Sequence, residues 1–284
     1  MSRKNPKKKK KKIPAKGKNR LQLTAATSDK HDLYEHSVQD TQAECDFIDQ
    51  VWKERRKRLA QHVREDFCGT AATSCEWIKR REDNTAIGVD FDPAVLKCAH
   101  ERIAKRLDEK QIKQLTILQD DVLTVKTKKV ESVLAMNFSY YIFKTRALLG
   151  KYFKRVRSSL VDDGIFILDA YGGSDSFVEL EEDRKVKGFT YVWDQHFYDP
   201  ITGDVTNYIH FRFPDGSAMN KAFEYHWRLW TLPELRELLE EVGFNNVTIY
   251  WEGTDEDGDG DGEFTPKTVG EACEGWIAYI VAEK

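Results

Sequence analysis

The sequence predicts a doubly wound α/β fold: a seven-stranded, mainly parallel sheet with an antiparallel last strand and an added antiparallel layer. Three observations predict it. Short apolar runs alternate with helix-period segments between residues 62 and 171, the order of βαβ units with helices on both faces. Beyond Gly172 the period falls to two in aromatic-rich runs, the mark of an antiparallel meander. The chain ends on two strand-like runs either side of an acidic loop, a strand pair that closes one edge of the sheet.

Residues 1–28 stand apart as a lysine-rich tail expected to be disordered. Residues 1–20 hold eleven Lys and Arg and no acid, which leaves 34 basic against 48 acidic residues in the body, a charge of about −14. A body that acidic disfavours nucleic acid, whose binding rests on neutralising phosphates with Lys and Arg; only the tail suits a polyanion. The tail reads as a solvated arm, with nuclear import or nonspecific polyanion contact as the other readings.

The folded domain is expected over 29–284. Within 29–61, Val38, Phe47, Ile48, Val51 and Trp52 fall at helical spacings, which predicts one or two helices forming an N-terminal lid. Strands are expected at HVREDF, TAIGVDF, QLTILQDD, ESVLAMNF and GIFILDAY, with helices at TSCEWIKRR, from Pro93, and at KTRALLGKYFKRVRSSL. The insertion at 172–230 carries three aromatic runs, 189–199, 204–213 and 219–230, parted by the turn signals PITG and PDGS. A helix from Leu232 to Val242 follows, with Thr231 as N-cap, Pro233 in its first turn and Gly243 at its end. The runs NNVTIYWEG and GWIAYIVAEK bring the strands of the main sheet to seven.

Five cysteines without a CxxC spacing argue against a disulfide framework and a structural zinc site. No apolar run is long enough for a membrane span and no signal sequence is legible, so a soluble, intracellular and cytoplasmic protein is expected. The loop after Thr254 sets Asp255, Asp257, Asp259 and Gly260 at EF-hand offsets, but Pro266 stands where the bidentate Glu belongs. It reads as a solvated acidic loop, and no metal is expected.

In such a sheet, ligands bind at the carboxyl ends of the strands near the point where strand order reverses. There the sequence reads VREDFCGTAATS: an acid at Glu65, with Asp66 beside it, and a tight turn at Gly69 followed by Thr70 and small residues. The turn lacks the three glycines of GxGxxG, which disfavours a dinucleotide. Asp90, followed by Phe91, closes the second strand 21 residues after Gly69, where a carboxylate accepts from both hydroxyls of a ribose. Asp120 and Asp121 close the third strand and Asn137 the fourth. Cys68 reads as a small packing residue.

Over residues 62–171 and 231–284 these features resemble the class I S-adenosylmethionine-dependent methyltransferases, a Rossmann-like superfamily. The strings LYEHSVQ and REDFCGTAATSCEW also look like an uncharacterised branch of it. The resemblance implies S-adenosylmethionine as cofactor, with Glu65, Gly69 and Thr70 along its methionine part, Asp90 (with Phe91 beside it) at its ribose, Asp121 or Asp120 at its adenine, and Asn137 lining the transfer site. Phe67 and Ala71 depart from the family's glycines and put the loop contacts in question.

The implied activity is methyl transfer to an N, O or S nucleophile, expected on a small molecule. The alternatives are a protein or RNA methyltransferase guided by the tail, or a noncatalytic S-adenosylmethionine-binding module. For the acceptor side, polar residues on the aromatic runs and the early helices are the candidates: Tyr140, His196, His210 and His226 as proton-handling groups, with Tyr34, Arg212 and Arg228 around them.

Overall fold

Two aspartates start the helices that precede the sheet. Asp29 accepts from the N–H groups of His31 and Asp32 and caps α1 (Lys30–Ser37); Asp40 accepts from Ala43 N–H and caps α2 (Thr41–Arg56), contacts worth about 1 kcal/mol each. The structure is a computed structural model and describes residues 23–255 and 260–284. The first 22 residues of the tail therefore lie outside the described residues. Its last residues form a turn that docks, Ala25 N–H donating to Ser217 Oγ at 3.0 Å.

The βαβ run follows as β1 (His62–Asp66), α3 (Ala72–Arg80), β2 (Thr85–Asp90), α4 (Pro93–Arg106), the short α5 (Glu109–Ile112), β3 (Leu115–Gln119), β4 (Val130–Ala135), α6 (Arg146–Ser159) and β5 (Leu160–Gly172). An antiparallel layer interrupts it, built from β6 (Leu180–Val186), β7 (Phe189–Tyr198), β8 (Asp204–Arg212) and β9 (Ala218–Arg228). The chain then returns through α7 (Leu232–Glu241), β10 (Asn245–Thr254), β11 (Gly260–Lys267) and β12 (Trp276–Glu283).

The main sheet has the order β11-β10-β12-β5-β4-β1-β2-β3. β1 pairs in parallel with both β2 and β4, so strand order reverses at β1, and β12 runs antiparallel between β5 and β10. The switch point thus falls at the turn after β1, next to the end of β4. One edge strand, β11, exceeds the seven expected, and β6 adds a fourth strand to the expected meander. Both are exposed along most of their length, so neither carries the period-2 apolar pattern by which a strand is read.

Two apolar layers sandwich the main sheet, one under α6 and α7 and one under α2, α3 and α4. In β1, Val63 and Glu65 face the second layer, while Arg64 and Asp66 point the other way toward α6, as the alternation of a strand requires. Arg64 and Asp66 have 0% side-chain exposure and form a two-point ion pair at 2.8 and 2.9 Å. Tyr152 also donates to Asp66, and Arg64 donates to Ser159, so neutral partners flank the buried pair.

The expected lid over 29–61 divides in two. α2 is a core helix, with Trp52 fully buried and its Nε1–H donating to Ser132 Oγ at 2.7 Å. Only α1 lies across the strand ends. Its Asp29 and Asp32 pair with Arg102 of α4, its Glu35 pairs with Arg106, and its Leu33 packs with Phe189, Ile209 and Phe211 of the small sheet. Among the described residues, no helix is long and apolar enough to cross a membrane.

Candidate functional site

The turn after β1 keeps a glycine-loop backbone without the glycines. Phe67, Gly69 and Ala71 all have left-handed φ, at 58°, 52° and 57°, which costs non-glycine residues roughly 1–2 kcal/mol each. Burial supports both. The Phe67 ring packs against Phe143 and Tyr152 beneath the sheet, and Ala71 is fully buried as it leads into α3. The side chains that replace glycine therefore point away from the ligand side, whereas a Cβ on Gly69 would meet nothing within 4 Å.

Glu65 lies beneath this loop. Its carboxylate accepts from the backbone N–H (2.9 Å) and the hydroxyl of Ser74, serving the start of α3 where no side chain caps the helix. Burial pushes its pKa up to about 7, against those Ser74 hydrogen bonds. Asp90, at the end of β2, draws Gly69 to it by accepting Gly69 N–H at 2.8 Å, and its other oxygen accepts Asp92 N–H at 3.0 Å. Beside it Phe91 is 75% exposed, a large apolar ring at a strand end with no protein to cover it. Asp120 is exposed and accepts from Asp121 N–H, while Asp121 accepts from Leu123 N–H and orders the turn after β3. Thr70 donates to Glu35 of α1 at 2.5 Å, so α1 is tied directly to the loop. Cys68 is buried with Sγ against Gly88, and burial raises its thiol pKa well above the ordinary value, as befits a packing residue.

Asn137 and Phe138, after β4, are both left-handed, with φ of 58° and 57°. Asp169 of β5 holds that bend by accepting Asn137 N–H at 2.7 Å and Phe138 N–H at 2.9 Å. Burial raises the Asp169 carboxyl to about 7. The sequence reading missed Asp169; its position at the end of the fifth strand was the available signal.

Between this bend and the small sheet lies a cavity of about 1180 Å³. Tyr34, Asn137, Tyr171, Trp193, Tyr225 and Trp227 are among its walls. Tyr225 and Trp227 rings lie 4.3 Å apart, and Tyr34 shares a hydrogen bond with Tyr225, joining α1 to the small sheet. Tyr34 is thus the one acceptor-side candidate from the sequence that lines the cavity.

The four proton-handling candidates stand elsewhere. Tyr140 is fully buried, with its hydroxyl donating to the Asp169 carbonyl at 2.7 Å, and burial lifts its pKa far above the ordinary phenol value. His196, His210 and His226 occupy the opposite face of the small sheet from Trp193, Tyr225 and Trp227, because successive residues of a strand alternate in direction. His226 meets Glu224 at 3.0 Å on the surface. His210 Nδ1 accepts Lys221 N–H at 3.0 Å, which leaves its Nε2 as the donor to Asp194 at 3.1 Å. Glu181, Asp194 and His210 do bring three ligand-type groups together, but Nε2 carries a proton and Glu181 is paired with Arg212 at 2.6 Å. Arg212 and Arg228 are likewise spent on ion pairs, the latter with Glu234.

No protein-family model matches the sequence, and neither does any curated protein. The fold has many solved counterparts. An S-adenosylmethionine-dependent methyltransferase from Clostridium acetobutylicum superposes with a TM-score of 0.65 at 18% identity, over 88% of this chain and 96% of its own. A sugar N-methyltransferase from a Streptoalloteichus species gives 0.60 at 16% identity, over 100% and 98%. An amino pentose methyltransferase from Micromonospora echinaspora, involved in calicheamicin biosynthesis, gives 0.62 at 12% identity, over 89% and 95%. With its reversed strand order at β1, its antiparallel β12 and its small-sheet insertion, this chain has the fold of the S-adenosylmethionine-dependent methyltransferases.

Proposed function

We propose that the chain is an S-adenosylmethionine-dependent methyltransferase acting on a small molecule. One observation carries the reading: the open Gly69 turn, bound to Asp90 and flanked by exposed Phe91, stands beside an aromatic cavity that begins at Asn137. These groups fit the cofactor. Glu65 and the Gly69–Thr70 turn would hold its methionine end, Asp90 its ribose hydroxyls, and Asp120, Asp121 and Phe91 its adenine. The sulfonium supplies an already activated methyl group, so the chain's task is alignment and exclusion of water.

Asp169 fixes the Asn137 bend at the junction of the two spaces. Tyr34, brought in by α1, and Trp193, Tyr225 and Trp227 enclose the acceptor. A concave, aromatic-walled cleft with a few polar groups suits a small acceptor, and the sugar N-methyltransferase and amino pentose methyltransferase with the same fold support that choice. Calorimetric titration tests the reading. Binding of S-adenosylmethionine and of its demethylated product, with no measurable nicotinamide dinucleotide binding, is expected; the reverse preference would overturn it.

A further inference from the structure

α1 grips both the small sheet and the cofactor turn. It is eight residues long, too short to hold a helical position by itself, so its place is set by its side-chain contacts. Toward the small sheet, Leu33 is 4% exposed among Phe189, Ile209 and Phe211, and the Tyr34 ring lies 4.9 Å from Phe223 while its hydroxyl is hydrogen-bonded to Tyr225. Lys30 donates to the Ala222 carbonyl at 3.2 Å, and Arg184 to that of Ser37.

Toward the main sheet the contacts are carboxylates. Asp29 and Asp32 meet Arg102 with side chains 46% and 59% exposed, where an ion pair contributes little. Glu35 differs: its side chain is 13% exposed, one oxygen accepts from Thr70 at 2.5 Å, the other accepts from Arg106, and Arg102 stands 3.5 Å away. Thr70, itself buried, follows Gly69, whose N–H is held by Asp90. Asp90 and Glu35 thus grip the cofactor turn at adjacent residues, one from the main sheet and one from α1. Successive residues of a helix point about 100° apart, so this short element presents Tyr34 to the acceptor cavity and Glu35 to the turn.

Resting on the methyltransferase reading above, we propose that Glu35 is a positioning residue that couples the two ligands: occupancy of the Gly69–Thr70 turn fixes Glu35, and with it Tyr34, Tyr225 and the acceptor wall. Linkage makes the effect reciprocal, so an acceptor seated against Tyr34 and Tyr225 strengthens cofactor binding by the same factor. Reach rather than charge carries the coupling, because the group met on the turn is a neutral hydroxyl. A glutamine spans the same distance, and an aspartate is one methylene short.

The test uses the full chain with the demethylated cofactor as probe, read by amide hydrogen exchange and calorimetric titration. At saturation the probe should slow exchange about fivefold in α1 and in β9, which carries Tyr225 and Trp227, as well as in residues 62–92 around the turn. Glu35→Ala, at saturating probe, should keep the protection at 62–92 and lose it in α1 and β9; Glu35→Gln should restore it and Glu35→Asp should not. Thr70→Val, which removes the donor and leaves Glu35 in place, should behave as Glu35→Ala. Each variant is compared with and without probe, so a merely structural loss, which speeds exchange in both states, is separated from lost coupling. Equal protection of β9 in Glu35→Ala and Thr70→Val, rescue by Glu35→Asp rather than Glu35→Gln, or a β9 indifferent to bound probe in the parent overturns the proposal. No binding of the probe by the parent would instead overturn the reading on which it rests.

Discussion

The two walls of the cleft store their chemistry differently. On the strand-end wall, Glu65, Gly69, Asp90, Asp120, Asp121 and Asn137 sit where parallel strands stop, and each place is set by a local run of residues. On the small-sheet wall, what faces the ligand is decided by register. Trp193 and His196 are three residues apart on one strand, yet the first lines the cavity and the second is exposed on the other face, beyond a register shift between Gln195 and Phe197. Loop chemistry is local in sequence, and sheet-face chemistry is a matter of parity.

The largest effect expected concerns neighbours at the end of β1. Glu65 serves the start of α3 after the β1 turn, while Asp66 neutralises fully buried Arg64. Asp66→Ala should lower the unfolding free energy by about 3–5 kcal/mol, because it leaves a buried guanidinium unpaired. Urea unfolding measures it. A loss under about 1 kcal/mol would mean that Arg64 finds water or another partner.

The second prediction sets the faces of the small sheet against each other. Trp193→Ala should lower kcat/KM for a methylated acceptor by about 2–3 kcal/mol of transition-state stabilisation, the scale of a buried aromatic anchor. His196→Ala and His226→Ala should leave it within about twofold, since neither ring reaches the cavity. Steady-state kinetics on the three variants decides the matter, and a histidine variant as damaged as Trp193→Ala would reverse the assignment of faces.

This contrast explains what was legible in the sequence. The βαβ run and the closing strand pair follow from periodicity and turn residues, the reversal at β1 and the antiparallel sense of β12 come with the doubly wound fold class assigned on them, and the candidate cofactor acids follow from their positions at strand ends. The histidines were read by chemistry without parity. Strict alternation along FTYVWDQH puts Tyr191 and Trp193 on one face and His196 on the other. Tyr140 could not be placed from sequence, because its burial depends on Asp169, 29 residues away in the chain. β6 and β11, charged and exposed, carry no apolar period at all.

Three buried acids give a smaller, pH-dependent effect. Burial raises Glu44 to about 8 and Glu65 and Asp169 to about 7. The folded chain therefore holds protons that the unfolded chain has released above the ordinary carboxylate range. Stability is fully present below that range and is lost as pH rises through about 7–8. Glu44→Gln, which keeps a partner for the Thr73 hydroxyl, should make the fall of unfolding free energy with rising pH shallower, by about 1 kcal/mol or more at pH 8. A profile as steep as that of the parent would show Glu44 to be ionised in place.

The smallest effect is expected at the tail. Deleting residues 1–20, with their eleven positive charges, should leave turnover of a small acceptor unchanged, because the described walls of the cavity come from residues 34–277 and charges elsewhere are screened beyond about 8 Å at physiological salt. Activity of the two forms against salt measures it. A large loss that grows at low salt would favour a polyanionic acceptor.

The central claim is that the strand-end wall binds the cofactor and the small sheet does not. Asp90→Ala tests it most directly, by calorimetric titration with the demethylated cofactor alongside Trp193→Ala. Asp90→Ala should weaken binding by about 1.5–3 kcal/mol, the range for hydrogen bonds to a charged group, while the folded protein loses about 1 kcal/mol or less of stability. Trp193→Ala should bind as the parent does. Unchanged affinity in folded Asp90→Ala, or a loss confined to Trp193→Ala, would contradict the account.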